Sequence, residues 1–72
     1  MVEWFRNFLA DVVLYHTYKE NKDEFVTIIK SYRVYGPEYL LGIGYTRYFV
    51  GAVKRLWDKN TSKLEKLINT NS

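Results

Sequence analysis

The stretch GPEYLLGIGYT, residues 36–46, decides the fold of this 72-residue chain. Gly36 suits the position just past a helix end, because glycine adopts the positive φ values found there without steric cost. Pro37 suits the first turn of the following helix, where its missing N–H is not needed. These two residues predict that one helix ends near residue 35 and that a short helix occupies residues 37–41.

A second break follows at Gly42 and Gly44. Two glycines so close together would cost a continuous helix roughly 2 kcal/mol relative to alanine, which favours a bend. We expect residues 43–45 to form a turn and Thr46 to cap a third helix that runs to about Lys59. The inner stripe of that helix is predicted to comprise Phe49, Val53 and Leu56, with Ala52 and Trp57 beside it.

The N-terminal part of the chain predicts two further helices. From Phe5 onward, apolar residues recur at helical spacings, which indicates an amphipathic helix over residues 2–19. A polar connector follows, and Asp23 is then expected to cap a second helix. A β-strand is the alternative for the run FVTII at 25–29, although Lys30 would then fall on an apolar face of that strand. The expected buried stripes are Phe5, Phe8, Leu9, Val12, Val13 and His16 in the first helix, and Phe25, Ile28, Ile29 and Tyr32 in the second.

Asn60 interrupts the helical pattern toward the C-terminus. Thr61 or Ser62 can cap a short last helix over residues 61–69, whose few apolar residues mean that it either docks on the core or frays. Residues 70–72 are expected to be a disordered tail.

Together these elements predict one all-α domain, residues 1–72, built as a small bundle of four to five helices. Residues 23–59 would form a helix-turn-helix-like unit within it. A chain of this length buries only about 60% of the surface that its unfolded form exposes. The sequence has no cysteine to cross-link such a small core, so a second subunit would add stability and homodimerisation has a physical motive.

The sequence offers little for catalysis or for a metal. His16 is the only histidine and lies on the apolar stripe, and no carboxylate pair accompanies a nucleophile, so neither a zinc site nor a catalytic triad can be assembled. We expect no enzyme activity, cofactor, metal or small-molecule substrate. No run approaches the ~20 apolar residues of a membrane-spanning helix and no signal peptide is recognisable, so we expect a cytoplasmic protein with no membrane partner.

Charge is unevenly distributed along the chain. Residues 1–29 carry three basic and five acidic side chains, a net charge of −2, whereas residues 30–72 carry eight basic and three acidic ones, a net charge of +5. This asymmetry favours an anionic partner for the C-terminal part, either nucleic acid or an acidic surface. A solvated face that only maintains solubility is the alternative.

From residue 25 onward the sequence resembles the helix-turn-helix DNA-binding domains of small repressors and of the N-terminal parts of transposases. The segments that carry the resemblance are IIKSY at 28–32, YGPEYL at 35–40, LGIGYT at 41–46 and FVGAVKRL at 49–56. In that family the third helix enters the major groove of DNA. The resemblance therefore implies that the third helix docks on duplex DNA through residues at its start and outer face. These candidates are Thr46, Arg47, Val50, Gly51 and Lys54, followed by Arg55, Tyr45, Tyr48 and Arg33.

The resulting prediction is a small non-catalytic DNA-binding protein, a homodimeric regulator of transcription or a DNA-handling accessory. The alternative is a homo-oligomeric helical protein–protein interaction module with a tyrosine-rich contact face. Tyrosine is favoured at interfaces, and the tyrosines of the central region are too many for one small core. They are Tyr32, Tyr35, Tyr39, Tyr45 and Tyr48.

The start of the first helix has alternatives of its own. Trp4, Phe5 and Phe8 can insert into a membrane interface or pack against another helix. Glu3 and Asp11 argue against an anionic membrane, so helix-to-helix packing is favoured, within the domain or across a dimer.

Overall fold

Four α-helices follow one another in residues 2–70, the part of the chain that the computed structural model describes. No strand occurs within that range, so the predicted all-α bundle is confirmed and the strand alternative for residues 25–29 is excluded. The helices are α1, Val2–Glu20; α2, Lys22–Tyr35; α3, Pro37–Gly42; and α4, Arg47–Thr70.

The junction between α2 and α3 is the glycine–proline step predicted from the sequence. Gly36 has φ +88° and ψ 179°, a backbone conformation that is essentially restricted to glycine. Its N–H donates to the carbonyl of Tyr32 at 2.9 Å, which closes the last turn of α2. Pro37 opens α3, where its fixed φ suits the first turn.

The turn between α3 and α4 also forms where the glycines predict it. Gly44 has φ +111° and donates its N–H to the carbonyl of Leu41 at 3.2 Å. The hydroxyl of Thr46 accepts a hydrogen bond from the backbone N–H of Phe49 at 3.1 Å, which confirms Thr46 as the cap of α4. The direction of α4 is therefore set by short-range contacts on both sides of the turn.

The cap of α2 differs from the prediction. α1 continues to Glu20, so Asn21 is the single residue between α1 and α2 and takes the capping position instead of Asp23. Its side-chain oxygen accepts from the backbone N–H of Glu24 at 3.3 Å, and its side-chain amide donates to the Glu24 carboxylate at 3.1 Å. Asparagine is as effective a cap as aspartate, which is consistent with a helix that begins two residues earlier than predicted.

The core lies where α2 and α4 meet. Ile29 and Val53 are fully buried there, and Leu40 of α3 packs against them. α4 contacts the three other helices, whereas α1 and α3 make no contact with each other within residues 2–70. The predicted stripes of α2 and α4 are confirmed by their burial. The buried members of the core are Ala10, Leu14, Phe25, Ile28, Ile29, Leu40, Phe49, Val50, Ala52, Val53, Leu64 and Ile68.

The C-terminal segment is a second helical part of α4, and a kink at Asn60 separates it from the first part, as the sequence predicts. Asn60 has non-helical dihedrals, φ −132° and ψ 33°, which bend α4 at the position where the pattern predicts a break. Leu64 and Ile68 are buried, so the segment after the bend docks on the core. Of the predicted disordered tail, Thr70 is the last residue of α4, and residues 71–72 lie outside the described range.

The predicted inner stripe of α1 is wrong. Phe5, Phe8, Leu9, Val12 and Val13 remain about half exposed, and His16 is also exposed. The core side of α1 is instead formed by Ala10 and Leu14. The physical reason is that α1 is apolar on more than one side, and the side with the small residue Ala10 allows the close approach to α2 and α4.

Candidate interaction surfaces

Arg47 belongs to a cluster that joins the start of α4 to the start of α1. Its guanidinium donates to the hydroxyl of Tyr48 at 3.3 Å, and Tyr48 donates to the carboxylate of Glu3 at 2.9 Å. Arg6 and Arg47 both lie over the Tyr48 ring, 5.5 and 5.2 Å from its centroid. The hydrogen bond to Tyr48, with a smaller contribution from the charge of Glu3, raises the pKa of Arg47 above its ordinary value. The Arg47 side chain nevertheless remains 78% exposed.

Lys54 and Arg55 both have carboxylate partners but point in different directions. Lys54 donates to Asp58 one turn later in α4 at 3.2 Å, and this hydrogen bond raises the pKa of Lys54. Arg55 donates to Asp11 of α1 at 2.8 Å, so it links the two helices. Lys54 therefore belongs to the solvent side of α4, and Arg55 belongs to the contact between α1 and α4.

Val50 and Gly51 are not surface groups that DNA could contact through a side chain. Val50 is only 5% exposed and belongs to the core, which corrects its prediction as a DNA-facing residue. Gly51 is half-buried, and a Cβ added there would lie 3.4 Å from the guanidinium of Arg55. Such a Cβ would make an ordinary van der Waals contact with Arg55, so the space beside Gly51 does not by itself require a glycine.

The remaining candidates lie at different places. Arg33, near the end of α2, pairs with Glu65 in the second half of α4 at 2.9 Å. Tyr45 is half-buried and stacks on Phe49, with 5.1 Å between the ring centroids. Thr46 is exposed, but its hydroxyl caps α4. The predicted DNA-facing residues therefore divide into capping, core, interhelical and solvent positions.

Arg47, Gly51 and Lys54 are the predicted residues that the fold brings together. Their spacing of three and four places them along one line of α4. Arg47 and Lys54 are exposed on this line, and it is narrow because Val50 and Ala52 on either side of Gly51 are buried.

The oppositely charged halves of the chain form ion pairs with each other within the bundle. Two ion pairs, Glu3 with Arg47 and Asp11 with Arg55, join the acidic N-terminal part to the basic C-terminal part. Because all these side chains are substantially exposed, such pairs contribute little to the stability of the fold. Their effect is to fix the side of α1 that faces α4. Part of the positive charge that suggested an anionic partner therefore has a carboxylate partner inside the chain.

The outer face of α1 is an exposed apolar surface that includes most of the stripe predicted to be buried. We define it as Trp4, Phe5, Phe8, Leu9, Val12 and Tyr15. These side chains are between 43% and 71% exposed. With about 200 Å² for each aromatic side chain, the four aromatic residues present roughly 450 Å² of exposed surface. The largest apolar patch on a monomer is typically 300–600 Å² and is often functional.

A groove lies beside the outer face of α1, between α1 and α4. It encloses about 370 Å³. Tyr15 and Tyr18 of α1 line it together with Arg55 and Lys59 of α4, and Phe25 of α2 also contributes. Tyr18 packs edge-on against Phe25, with 5.1 Å between the ring centroids. The groove therefore combines aromatic surface with the cationic groups of α4.

A second apolar surface lies at the other side of the molecule, around the end of α2 and α3. Tyr35 and Tyr39 are exposed and pack on each other, with 4.6 Å between their ring centroids. Tyr32, Tyr45 and Tyr48 instead pack against the core. The tyrosines of the central region thus do not form one continuous contact face. The exposed apolar residues of this region are Val34, Tyr35, Tyr39, Leu41 and Ile43.

Residues 2–70 contain neither a cluster of metal-binding side chains nor a helix that could span a membrane. Within residues 2–70, no group of three or more His, Cys, Asp or Glu side chains is close enough to hold a metal ion. Over the same range, each helix is too short or too polar to cross a lipid bilayer.

The sequence does contain a signal for the exposed outer face of α1, because apolar residues occur on several sides of this helix. A helix with apolar residues on all sides must be covered on all sides, and a chain of this size has too few other helices to do so. Comparison with known proteins assigns no role to this face, because no protein-family model, curated protein or solved structure matches the chain.

Proposed function

We propose that this protein is a non-catalytic interaction module that binds another protein chain through the outer face of α1. The observation that carries the proposal is the exposure of Trp4, Phe5 and Phe8 in one contiguous helical stripe. Aromatic residues at the centre of an interface supply much of its binding energy. A partner chain that covered these side chains would remove a large apolar surface from water.

The contacts that hold α1 against the rest of the bundle support this proposal. Ala10 and Leu14 pack on the core, and Glu3 and Asp11 pair with α4. These contacts hold α1 in one rotation about its axis, with Phe8 outward. An interface whose residues are already ordered loses less conformational entropy on binding than a disordered segment does.

A photo-cross-linking amino acid in place of Phe8 tests the proposal in the cells that make the protein. The expected result is a cross-linked product of one defined mass, identified by mass spectrometry. The matched control carries the same group at Val34, an exposed apolar residue on the far side of the molecule, and should not give that product. If Phe8 yields no product beyond the background seen at Val34, the proposal is wrong.

A second candidate function is duplex DNA binding by a small regulator or DNA-handling accessory, the function that the helix-turn-helix resemblance implies. The observation that favours it is the exposed line of Arg47 and Lys54 at the start of α4, where a phosphate or a guanine edge can accept their hydrogen bonds. The carboxylates of Glu3 and Asp58 compete for the same two cations.

A titration of labelled duplex at several salt concentrations tests this second function. DNA binding predicts a steep loss of affinity with salt, and Arg47→Ala and Lys54→Ala should each lower the logarithmic salt slope by about 1. Lys66→Ala, at an exposed position in the last part of α4, is the control. Absence of binding at low salt would exclude DNA as the partner.

A further inference from the structure

We infer that the partner of the outer face of α1 is the same face of a second copy of this chain, with the two α1 helices antiparallel. This inference rests on the proposed function and names the partner of that surface. In the dimer, Trp4 of each copy enters the groove between α1 and α4 of the other.

The positions of Trp4 and the groove fit a two-fold axis. Residues 4, 8, 11, 15 and 18 are spaced by four and three, so they follow one line along α1. Trp4 is at the N-terminal end of this line, and the groove-lining Tyr15 and Tyr18 are at its C-terminal end. A two-fold rotation that makes two α1 helices antiparallel keeps this line on the same side of both helices. Each Trp4 is thereby brought to the partner's groove, and the two contacts are identical, as a closed dimer requires.

Charge also favours the antiparallel arrangement. The six residues of the outer face include no carboxylate. The neighbouring Asp11 is paired with Arg55, and the neighbouring His16 and Lys19 lie toward the C-terminal end of α1. Lys19 already lies over the Tyr15 ring, 5.5 Å from its centroid. A parallel pair would place each Lys19 beside the other. An antiparallel pair places Lys19 beside Phe5 and Trp4 of the second copy, where a cation over an aromatic ring is favourable, and it also opposes the two helix dipoles.

The exposed area matches what a dimer needs. A stable interface buries about 800 Å² on each partner. The aromatic residues of the outer face supply roughly half of this area, and Leu9, Val12 and the walls of the groove supply further surface. Asp11, which lies on the groove wall, is paired with Arg55, so docking does not bury an unpaired carboxylate.

Sedimentation of the full chain tests the inference first. We expect a species of twice 8.6 kDa that dissociates on dilution. Phe8→Glu should raise the dissociation constant by about thirty-fold or more, because it places a charge in the centre of the interface. Tyr35→Glu, at an exposed aromatic residue near the end of α2, should leave the dissociation constant unchanged. Circular dichroism of both variants checks that the helices remain folded. A strict monomer at about 1 mM protein would overturn the inference.

Disulfide formation tests the antiparallel arrangement, since the chain has no cysteine of its own. Phe8→Cys and Val12→Cys, on either side of the proposed two-fold axis, should not cross-link alone but should cross-link when mixed. Phe5→Cys and His16→Cys should behave in the same way. Self-cross-linking of all four variants would show a parallel pair and overturn the arrangement.

Tryptophan fluorescence tests the docking of Trp4. In a Trp57→Phe variant, Trp4 is the remaining tryptophan, and its emission should shift to the red as the dimer dissociates on dilution. A dimer whose emission is unchanged by dilution would show that the groove does not take Trp4.

Two other outcomes separate this inference from the proposed function. A monomer that cross-links at Phe8 to a different protein would overturn the second copy and leave the interaction module standing. A monomer that binds phosphatidylcholine vesicles through Trp4, without any protein product at Phe8, would overturn both.

Discussion

Alanine substitutions at Leu14 and Phe8 test which side of α1 faces the core. Leu14 is 3% exposed, so Leu14→Ala should lower the free energy of unfolding by about 3 kcal/mol, within the 2–5 kcal/mol of buried leucines. Phe8 is 50% exposed, so in the monomer only half of its transfer free energy is at stake. The expected loss for Phe8→Ala is therefore about 1 kcal/mol.

Urea unfolding followed by circular dichroism measures both losses. The measurement is made at two protein concentrations about a hundred-fold apart, because the stability that dimerisation adds depends on the protein concentration. The loss for Leu14→Ala should be the same at both concentrations. The loss for Phe8→Ala should increase at the higher one, where the second copy buries Phe8.

An equal loss of unfolding free energy for Phe8→Ala and Leu14→Ala in the dilute sample would contradict this orientation of α1. That result would mean that the stripe predicted from the sequence, and not Ala10 with Leu14, faces the core. Should the alanine variant of Leu14 not fold, Leu14→Val provides a milder comparison. It removes one methylene group and should cost about 1 kcal/mol.

Three further predictions concern the turns, a cap and an ion pair. Gly36→Ala should destabilise the fold by about 1–3 kcal/mol, because alanine does not tolerate its backbone conformation. Gly42→Ala, where φ is not positive and the Cβ meets nothing, should stabilise it by about 0.5 kcal/mol, and thermal unfolding compares the two. Thr46→Ala should cost about 1 kcal/mol in urea unfolding, and Thr46→Ser should restore most of it. A double-mutant cycle of Asp11→Asn and Arg55→Met should give a coupling of at most about 1 kcal/mol that falls with added salt; a coupling independent of salt would contradict an ionic contact.

The turns on both sides of α3 and the cap of α4 were predictable because their causes lie within a few residues. Gly36 and Pro37 act through their own backbone conformations, and Thr46 caps the helix that it immediately precedes. The burial of α2 and α4 was also predictable. Their apolar residues lie on one side, so a single orientation buries them. Even the bend at Asn60 coincided with the break in the pattern.

The orientation of α1 was not predictable by the same reasoning. Its apolar residues occupy several sides, so periodicity favoured the bulky residues Phe5 and Phe8 for the core. The choice is made by contacts with distant residues, since Arg55 and Tyr48 of α4 hold α1 against the rest of the bundle. Val50 was misassigned for a similar reason. The predicted outer face of α4 was too broad, because Val50 and Ala52, on either side of Gly51, both belong to the core and leave only a narrow exposed line.

The pairing of α1 with α4 has a consequence for the order of events during synthesis. Asp11 and Arg55 are 44 positions apart, which at about 5–20 residues per second corresponds to roughly 2–9 s of translation. Until Arg55 has been made, α1 lacks the helix that pairs with Asp11, and both of its apolar sides are uncovered by α4. Neighbouring ribosomes on one message hold several such chains close together. The side that α4 never covers is thus available to another nascent chain before either chain has completed its own bundle.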